Sequence, residues 1–313
     1  MTNNTKNKRP IIAVFFNNPG YMGYPFDDEE FLLSYHQLGE RIHARGAVFA
    51  VVRTQNSYKG KNTFAGGYLF NGKTFKETKE DIVANAILNK GNFVYKDAKR
   101  VLNEQAFEDL CTDKNVAAKK FEKFSPRTIV AKNKQDAKKF AAECGDMLVA
   151  KPLDAEGGTG VIIGPTAEVL SKIPSYPYLL QEFLDTSEGI PGVCTGRHDL
   201  RIFVVKDKLL RSYLRQPRGD GYVSNYSHGG LLPTEVPLEN VPKEAIQMAK
   251  EIDKELVEFK NRVYCIDVGL DSMKGWKLIE LNAKPGLDPV LPRYPTAHLF
   301  QDALADELLR MAS

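Results

Sequence analysis

Two short apolar runs rich in β-branched residues, Val263-Tyr264-Cys265-Ile266-Asp267-Val268 and Lys277-Leu278-Ile279-Glu280-Leu281-Asn282, flank a polar Asp-Ser-Met-Lys-Gly stretch near the C-terminus. Runs of strand length separated by turn-forming residues read as an antiparallel hairpin. Asp267, Glu280 and Asn282 fall at its strand ends. Glu280 and Asn282 are two residues apart, so they leave one face of a strand while Leu281 turns to the other. Oxygen donors grouped in this way suit a magnesium ion that keeps several waters and shares phosphate oxygens with a nucleotide. Taken alone, the three residues fit a solvated edge hairpin equally well. The rest of the chain has to supply the phosphate.

The 313 residues allow two or three domains, or one large one. With 42% hydrophobic and 27% charged residues and a net charge of +3, the composition is that of an ordinary folded chain and points to neither nucleic acid nor membrane as a partner. Residues 1–10 are polar and basic without the apolar core of a signal peptide, and no later run is long enough to span a bilayer, so a cytoplasmic location is expected. The four cysteines, Cys111, Cys144, Cys194 and Cys265, are widely spaced, which predicts reduced thiols.

Ile11-Ile12-Ala13-Val14-Phe15-Phe16 is a buried-type strand, residues 27–44 carry Phe31, Leu32, Tyr35, Leu38 and Ile42 at helical spacing, and residues 47–52 form a second strand. Short connections make this a β-α-β unit, the building block of parallel sheets. The loop 17–23 then lies at the C-terminal end of the first strand, where open α/β sheets bind ligands. A small hairpin is expected around Tyr68-Leu69-Phe70 and Thr74-Phe75, a short helix within 81–93, a helix over 103–114, and a domain boundary near 101–103.

Met147-Leu148-Val149-Ala150-Lys151 reads as a strand that delivers a lysine, followed by Asp154-Ala155-Glu156-Gly157-Gly158-Thr159-Gly160 and a further strand, Val161-Ile162-Ile163. Glycines between two strands let backbone N–H groups approach an anion, and the nearby ammonium adds charge, which describes a phosphate-covering flap. It is neither a P-loop nor a dinucleotide fingerprint. Tyr178-Leu179-Leu180-Gln181-Glu182-Phe183-Leu184 switches from apolar to polar at Gln181, offering a strand edge to a nucleotide base. On the next strand Asp199 and Arg201 share a face. Its antiparallel partner alternates Arg211, Tyr213 and Arg215, with Arg218 beyond. Arginines gathered on one sheet face favour carboxylate or phosphate recognition, or else pair with surface acids. A loop over 219–230 includes His228, which could act as a base but as a single loop histidine reads more simply as exposed, and residues 243–260 form an amphipathic helix. Residues 296–311 close the chain as a helix.

The order of these features resembles the ATP-grasp superfamily, in particular the branch of glutathione synthetase and the ribosomal-protein glutamate ligases. Glu280-Leu281-Asn282-Ala283-Lys284-Pro285-Gly286, similar to the family's Glu-x-Asn-x-x-Pro-Gly, and Asp199-Leu200-Arg201 carry the likeness, which extends over about 103–311. It implies an α/β chain with α+β lobes: an N-terminal substrate domain built on the parallel β-α-β unit (1–102), a central lobe with the glycine flap (103–184), and a C-terminal lobe with the magnesium site (185–313). By matched position, Lys114 and Lys151 would meet the ATP phosphates under a flap of Glu156, Gly157, Gly158, Thr159 and Gly160. Gln181, Glu182, Phe183 and Leu184 would hold the adenine, with Glu188 or Asp199 near the ribose. Asp267, Glu280 and Asn282 would bind magnesium, or manganese in its place. Arg201, Arg215 and Asn225 would face the γ-phosphate and acyl phosphate, and Gly229 and Gly230 the substrate carboxylate.

The activity implied is ATP-dependent joining of a small-molecule or peptide carboxylate to an amine through an acyl phosphate, with release of ADP and phosphate. Phosphoryl transfer of this kind runs on charge neutralisation and alignment, so the lack of a Ser-His-Asp or Cys-His arrangement is no objection. Val223 stands where the ribosomal-protein ligases tend to place arginine, and 191–198 is longer and more irregular than in the family, which leaves the amine open. A small-molecule kinase and a silent ATP-binding regulatory protein are the competing readings. Homo-oligomers are common in the family.

Overall fold

In the computed structural model, which describes residues 9–19, 23, 25–91, 96–153, 159–219, 221–224 and 229–313, the first apolar run forms β1 (Ile11–Phe16). It leads to α1 (Glu29–Ala44), where Asp28 caps the N-terminus by accepting from the backbone N–H of Glu30 at 2.9 Å and of Phe31 at 3.0 Å. The helix buries Tyr35, Leu38 and Ile42, the inward positions of its periodic stripe. β2 (Val48–Arg53) pairs parallel to β1. The β-α-β unit is therefore present as the spacing predicts.

Beyond it the sheet grows in ways the sequence did not suggest. β4 (Thr63–Phe70) adds antiparallel to β2, β3 (Tyr58–Gly60) adds antiparallel to β4, and β5 (Phe75–Val83) extends the expected small hairpin into a long one. A bulge at Gly66 sets its register: φ is +76°, and a Cβ there would stand 2.7 Å from the Thr78 carbonyl oxygen. The helix expected within 81–93 is corrected. Ile82 and Val83 end β5, while Ile87 and Leu88 lie in β6 (Ala86–Asn89), which pairs parallel to β1. A buried run of four residues has no periodicity to separate strand from helix, and pairing decides. β7 (Val101–Leu102) completes the order β3-β4-β2-β1-β6-β7, with β5 on β4.

The C-terminal helix, α7 (Ala297–Ala312), packs on α1, β1 and β6. Residues 1–105, 259–263 and 284–313 accordingly form one compact unit. The expected 185–313 lobe is thus divided, because the buried stripe of α7 (Phe300, Leu304, Leu308, Met311) belongs to the N-terminal core.

The second unit, 106–258 with 264–283, contains two sheets. α2 (Gln105–Thr112) and α3 (Lys114–Lys120) precede β8 (Thr128–Ala131), α4 (Lys134–Ala141), β9 (Met147–Lys151), β10 (Ile162–Pro165), α5 (Thr166–Lys172) and β11 (Tyr178–Glu182). Four of these strands make an antiparallel sheet in the order β10-β9-β11-β8. One face buries Leu148, Ala150 and Leu180 against Ala137 and Phe140 of α4 and Val169 of α5. The other sheet comprises β12 (Asp199–Val205), β13 (Lys208–Arg215), β14 (Thr234–Val236), β15 (Val263–Asp271) and β16 (Gly275–Asn282), ordered β14-β13-β12-β15-β16. α6 (Lys243–Lys254) packs on β16 through a stripe including Met248 and Ile252. It stops short of the predicted residue 260. The four cysteines are free thiols, and among the described residues no helix is long and apolar enough to cross a membrane.

Leu180 is fully buried between α4, α5 and the sheet. Leu180→Ala is expected to destabilise the chain by about 2–5 kcal/mol, the range for a truncated core leucine, as measured by the shift of the urea unfolding curve.

Candidate active site

Each sheet of the second unit turns one polar face away from its helices. On the four-stranded sheet the register sets Lys151 opposite Leu179, and Gln181 opposite Val149 and Thr128. Lys151, Gln181 and Thr128 then join across three strands. The Lys151 ammonium donates to Gln181 Oε1 at 2.7 Å, Gln181 Nε2 donates to Thr128 Oγ1 at 3.0 Å, and that hydroxyl donates to the Pro126 carbonyl at 2.9 Å. Burial pushes the Lys151 ammonium down to about 8; Glu280 opposes that shift and Lys114 adds to it. Lys114 is the first residue of α3, which Asp113 caps through the N–H groups of Asn115 and Val116. A narrow cavity brings Lys114, Lys151, Gln181 and Glu280 together with Cys111 and Leu281. A larger cavity of about 630 Å³, beside β8 and lined by Arg127, Val130 and Phe140 among others, includes none of the predicted site residues.

On the five-stranded sheet, Asp199 faces Arg215 across β12 and β13, and Asp267 faces Glu280 across the hairpin, with Cys265 opposite Asn282. Asp267 has no solvent exposure and is held by two guanidinium groups. Arg201 grips both its oxygens, Nε to Oδ1 at 2.7 Å and Nη2 to Oδ2 at 2.6 Å, and Arg215 Nη2 adds a third bond to Oδ2 at 2.6 Å. Arg215 Nε donates to Asp199 Oδ1 at 2.5 Å. Burial alone would raise the Asp267 carboxyl, but the charges and hydrogen bonds of the two arginines hold it at about 2. Asp199 is pushed up to about 6, by burial and by the like charge of Asp267 against the pull of Arg215. Both arginines are raised above their ordinary value despite burial.

Glu280 lies 3.9 Å from Arg201 Nη2 and keeps 43% of its side chain open. Desolvation in the cleft and the charge of Asp267 still push its carboxyl up. Arg211, which alternates with Arg215, is fully buried, stacks on Phe203 at 4.9 Å and meets Glu235 at 3.7 Å. Among the described residues no group of three or more His, Cys, Asp or Glu side chains converges as a metal cage. The donors present are the carboxylates of Asp267 and Glu280 and the amide of Asn282, on one face of the hairpin. So sparse a set suits a hard cation that retains water and phosphate ligands, with Glu280 as its open carboxylate and Asp267 already engaged by arginine.

Other predicted residues are placed as follows. Thr159 and Gly160 are at the start of the return to β10, where the Gly160 carbonyl accepts from the Tyr178 hydroxyl at 2.8 Å. Glu182 and the carbonyl of Phe183 both meet the Lys274 ammonium, at 3.1 and 3.2 Å, and Leu184 is half-buried just beyond. Glu188 is exposed on the following loop. Gly229 and Gly230 precede Leu231, whose N–H closes its loop on the Gln216 carbonyl at 2.9 Å. Glu156, Gly157, Gly158, Asn225 and His228 lie outside the described residues.

Sequence reasoning passed over Thr128, Asp271 and Lys274. The buried Asp271 carboxylate accepts from the N–H groups of Asp185, Met273 and Lys274, at 2.9, 2.9 and 2.8 Å. It fixes the hairpin turn and ties the chain that leaves β11 to it. An Asp opening a turn is a readable signal; its reach to residue 185 is not.

Two sheets that turn Lys151, Gln181, Arg201 and Glu280 to their polar faces are the architecture of an ATP-grasp protein. The family model of the prokaryotic glutathione synthetase ATP-grasp domain matches residues 114–286, over half of the chain, and the chain belongs to that family. A probable alpha-L-glutamate ligase of Ectopseudomonas mendocina is 28% identical over 149 residues, which are 47% of this chain and 45% of that protein. The chain spans about half the length of the curated relatives it matches. Among solved structures, D-alanyl-alanine synthetase A of Vibrio cholerae has a TM-score of 0.64 at 10% identity, over 97% of this chain and 99% of that chain. The ATP-grasp ligase PsnB, in complex with a phosphomimetic variant of its minimal precursor, Mg and ADP, has a TM-score of 0.61 at 14% identity, over 98% and 100%. At such identities the likeness is one of fold.

Removing the Asp267 charge leaves Arg201 and Arg215 buried around a neutral group. Asp267→Asn is expected to lose about 3–5 kcal/mol of stability, the cost of breaking a buried ion cluster from one side, as read from urea unfolding at neutral pH.

Proposed function

We propose that the chain is an ATP-dependent ligase that joins a carboxylate to an amine, with Lys114, Lys151, Gln181 and Glu280 around the nucleotide. The observation that carries this reading is their meeting in one cavity from four separate elements, α3, β9, β11 and β16. Lys114 and Lys151 supply positive charge for phosphates. Gln181 holds the Lys151 ammonium in place, and Gln181, Glu182, Phe183 and Leu184 offer the edge and side chains for the base. Arg201 and Arg215, locked by Asp267, present fixed cations toward developing charge without having to reorganise. Glu280, Asn282 and Asp267 are the residues for magnesium, and manganese, a hard cation of equal charge, is the proposed substitute. ATP, when bound, supplies the phosphoryl group that activates the carboxylate for attack by the amine. Asn225, Gly229 and Gly230 are assigned to the acyl group and substrate carboxylate, and Glu156, Gly157, Gly158, Thr159 and Gly160 to the cover over the phosphates. The family match and the two ligase structures support this class of reaction, and a small molecule or a peptide fits it as acceptor.

Glu280→Ala is expected to lower ATP-dependent phosphate release by about 100-fold or more, the scale for losing one electrostatic stabiliser. Its urea midpoint should stay near the parent's, since the side chain is partly open. Turnover unchanged in that variant refutes the assignment. A phosphorylated product that accumulates without amine favours the kinase reading.

Lys151 adds a pH signature. Its folded value of about 8 lies below the ~10.4 of an unfolded chain, so between those values the unfolded chain holds more protons and stability rises with pH. A bound phosphate restores the ammonium. ADP binding measured by calorimetry in buffers of different ionisation enthalpy is expected to take up protons at pH 8–9, and Lys151→Met to abolish that uptake.

A further inference from the structure

The four-stranded sheet ends on β8, whose outer edge meets no other strand among the described residues. Continuing the register of β8 on β11 sets Arg127 opposite Glu182, and the Arg127 carbonyl accepts from the Glu182 N–H at 2.9 Å. Backbone groups alternate in direction along an antiparallel strand, so Thr128 and Val130 turn their N–H and C=O groups to the open side. That side is closed at both ends. Pro126 has no N–H, and the Lys132 N–H donates to Asp136 at 3.0 Å. Between those ends the edge is open for roughly 13 Å, four residues at the rise of a strand. α3 and α4 both pack on β8. The cavity of about 630 Å³ lies between them, with Lys119 of α3 and Lys139 and Phe140 of α4 in its lining beside Ile129 and Val130.

The charge around this edge is one-sided. Residues 115–143 hold eight Lys and Arg against three Asp and Glu, a net +5 in a chain whose total is +3. Of the three acids, Asp136 is engaged by the Lys132 N–H and Glu143 by Arg127. Lys120 and Lys123 pair with Glu258 and Glu251. Lys119, Lys132, Lys134, Lys138 and Lys139 are exposed and have no carboxylate within ion-pair distance among the described residues. Lysines beside a free edge repel a second copy of the same basic segment and so guard against self-pairing. The same charges draw in an acidic chain.

We propose that an extended, acidic segment of a partner protein adds to β8 as a further strand of this sheet, its backbone bonded to Thr128 and Val130 and its carboxylates met by Lys119 and Lys139. Strand addition takes its affinity from the main chain and its selectivity from the flanking side chains. The site uses none of Lys114, Lys151, Gln181 and Glu280 as a contact, so it stands whether or not the chain is a ligase. The probe is a fluorescein-labelled, capped hexapeptide alternating Glu and Val, followed by anisotropy with the full chain at low salt. Its controls are the matching Lys-Val peptide and a Glu-Val peptide N-methylated at every residue, which keeps the charges and removes the backbone donors. The Glu-Val peptide is expected to bind about tenfold or more tightly than either control, and Lys119→Glu with Lys139→Glu to weaken it by about tenfold. Hydrogen exchange of the parent needs no variant: the Thr128 and Val130 amides should slow by about tenfold or more when the peptide saturates the chain. Equal binding of the N-methylated peptide, full affinity in the lysine double variant, or unchanged exchange at both amides overturns the proposal. So does tighter binding of an oligothymidylate of equal charge, which gives the basic face to nucleic acid, or a dimer of the chain that the peptide dissolves, which gives the edge to a second copy.

Discussion

The grip of two guanidinium groups on the buried Asp267 carboxylate organises the five-stranded sheet. Three hydrogen bonds of 2.6–2.7 Å converge on two oxygens, two from Arg201 and one from Arg215. Arg201 reaches from β12, Arg215 from β13, and Asp267 from β15. Taking such charges out of water is expensive, and a well-packed apolar cluster would hold the same strands at least as firmly. What the ion cluster provides and an apolar one cannot is a set of cations fixed in direction. Arg201 and Arg215 cannot swing toward solvent without abandoning Asp267, and Arg201 Nη2 stays 3.9 Å from Glu280. Electrostatic stabilisation of a reaction depends on charges that are already oriented.

The four-stranded sheet solves the same problem with less charge. Lys151 is held by Gln181, Gln181 by Thr128, and Thr128 by the Pro126 carbonyl, so one ammonium is positioned by a relay of neutral groups. Behind the relay the face formed by Leu148, Ala150 and Leu180 is a closed core. Asp271 and Lys274 connect the two devices. The first anchors the hairpin turn to Asp185, and the second meets Glu182 and the Phe183 carbonyl at the end of β11. The hairpin that carries Glu280 is thereby tied to the strand that carries Gln181.

Much of this was legible in the order of residues. The hairpin, its three oxygen donors and the lysine strand follow from period-two patterning and turn chemistry, whereas the pairing of Asp267 with Glu280 depends on a register shift between Asp267 and Val268 that the pattern does not show. What escaped were features set by distant partners. Ile87 and Leu88 are a strand because β1 has a free edge for them. The helix 297–312 serves the N-terminal unit because α1 and β6 present an apolar surface there. The arginine face was read as favouring external anions, with surface ion pairs as the alternative, whereas Arg201 and Arg215 are paired with Asp199 and Asp267 inside the sheet; a list of alternating arginines does not say which have acids across the sheet.

That difference in partners divides the arginines by role. A cation paired inside the protein has little charge left to spend on a ligand and acts chiefly through its direction. Arg197, two residues before β12, has no carboxylate within ion-pair distance among the described residues and lies instead over the Tyr222 ring, 4.5 Å from its centroid, with its backbone carbonyl accepting from Gln216 at 3.4 Å. The β12 and β13 end of the sheet thus holds two arginines whose direction is fixed by internal acids and a third held by an aromatic ring.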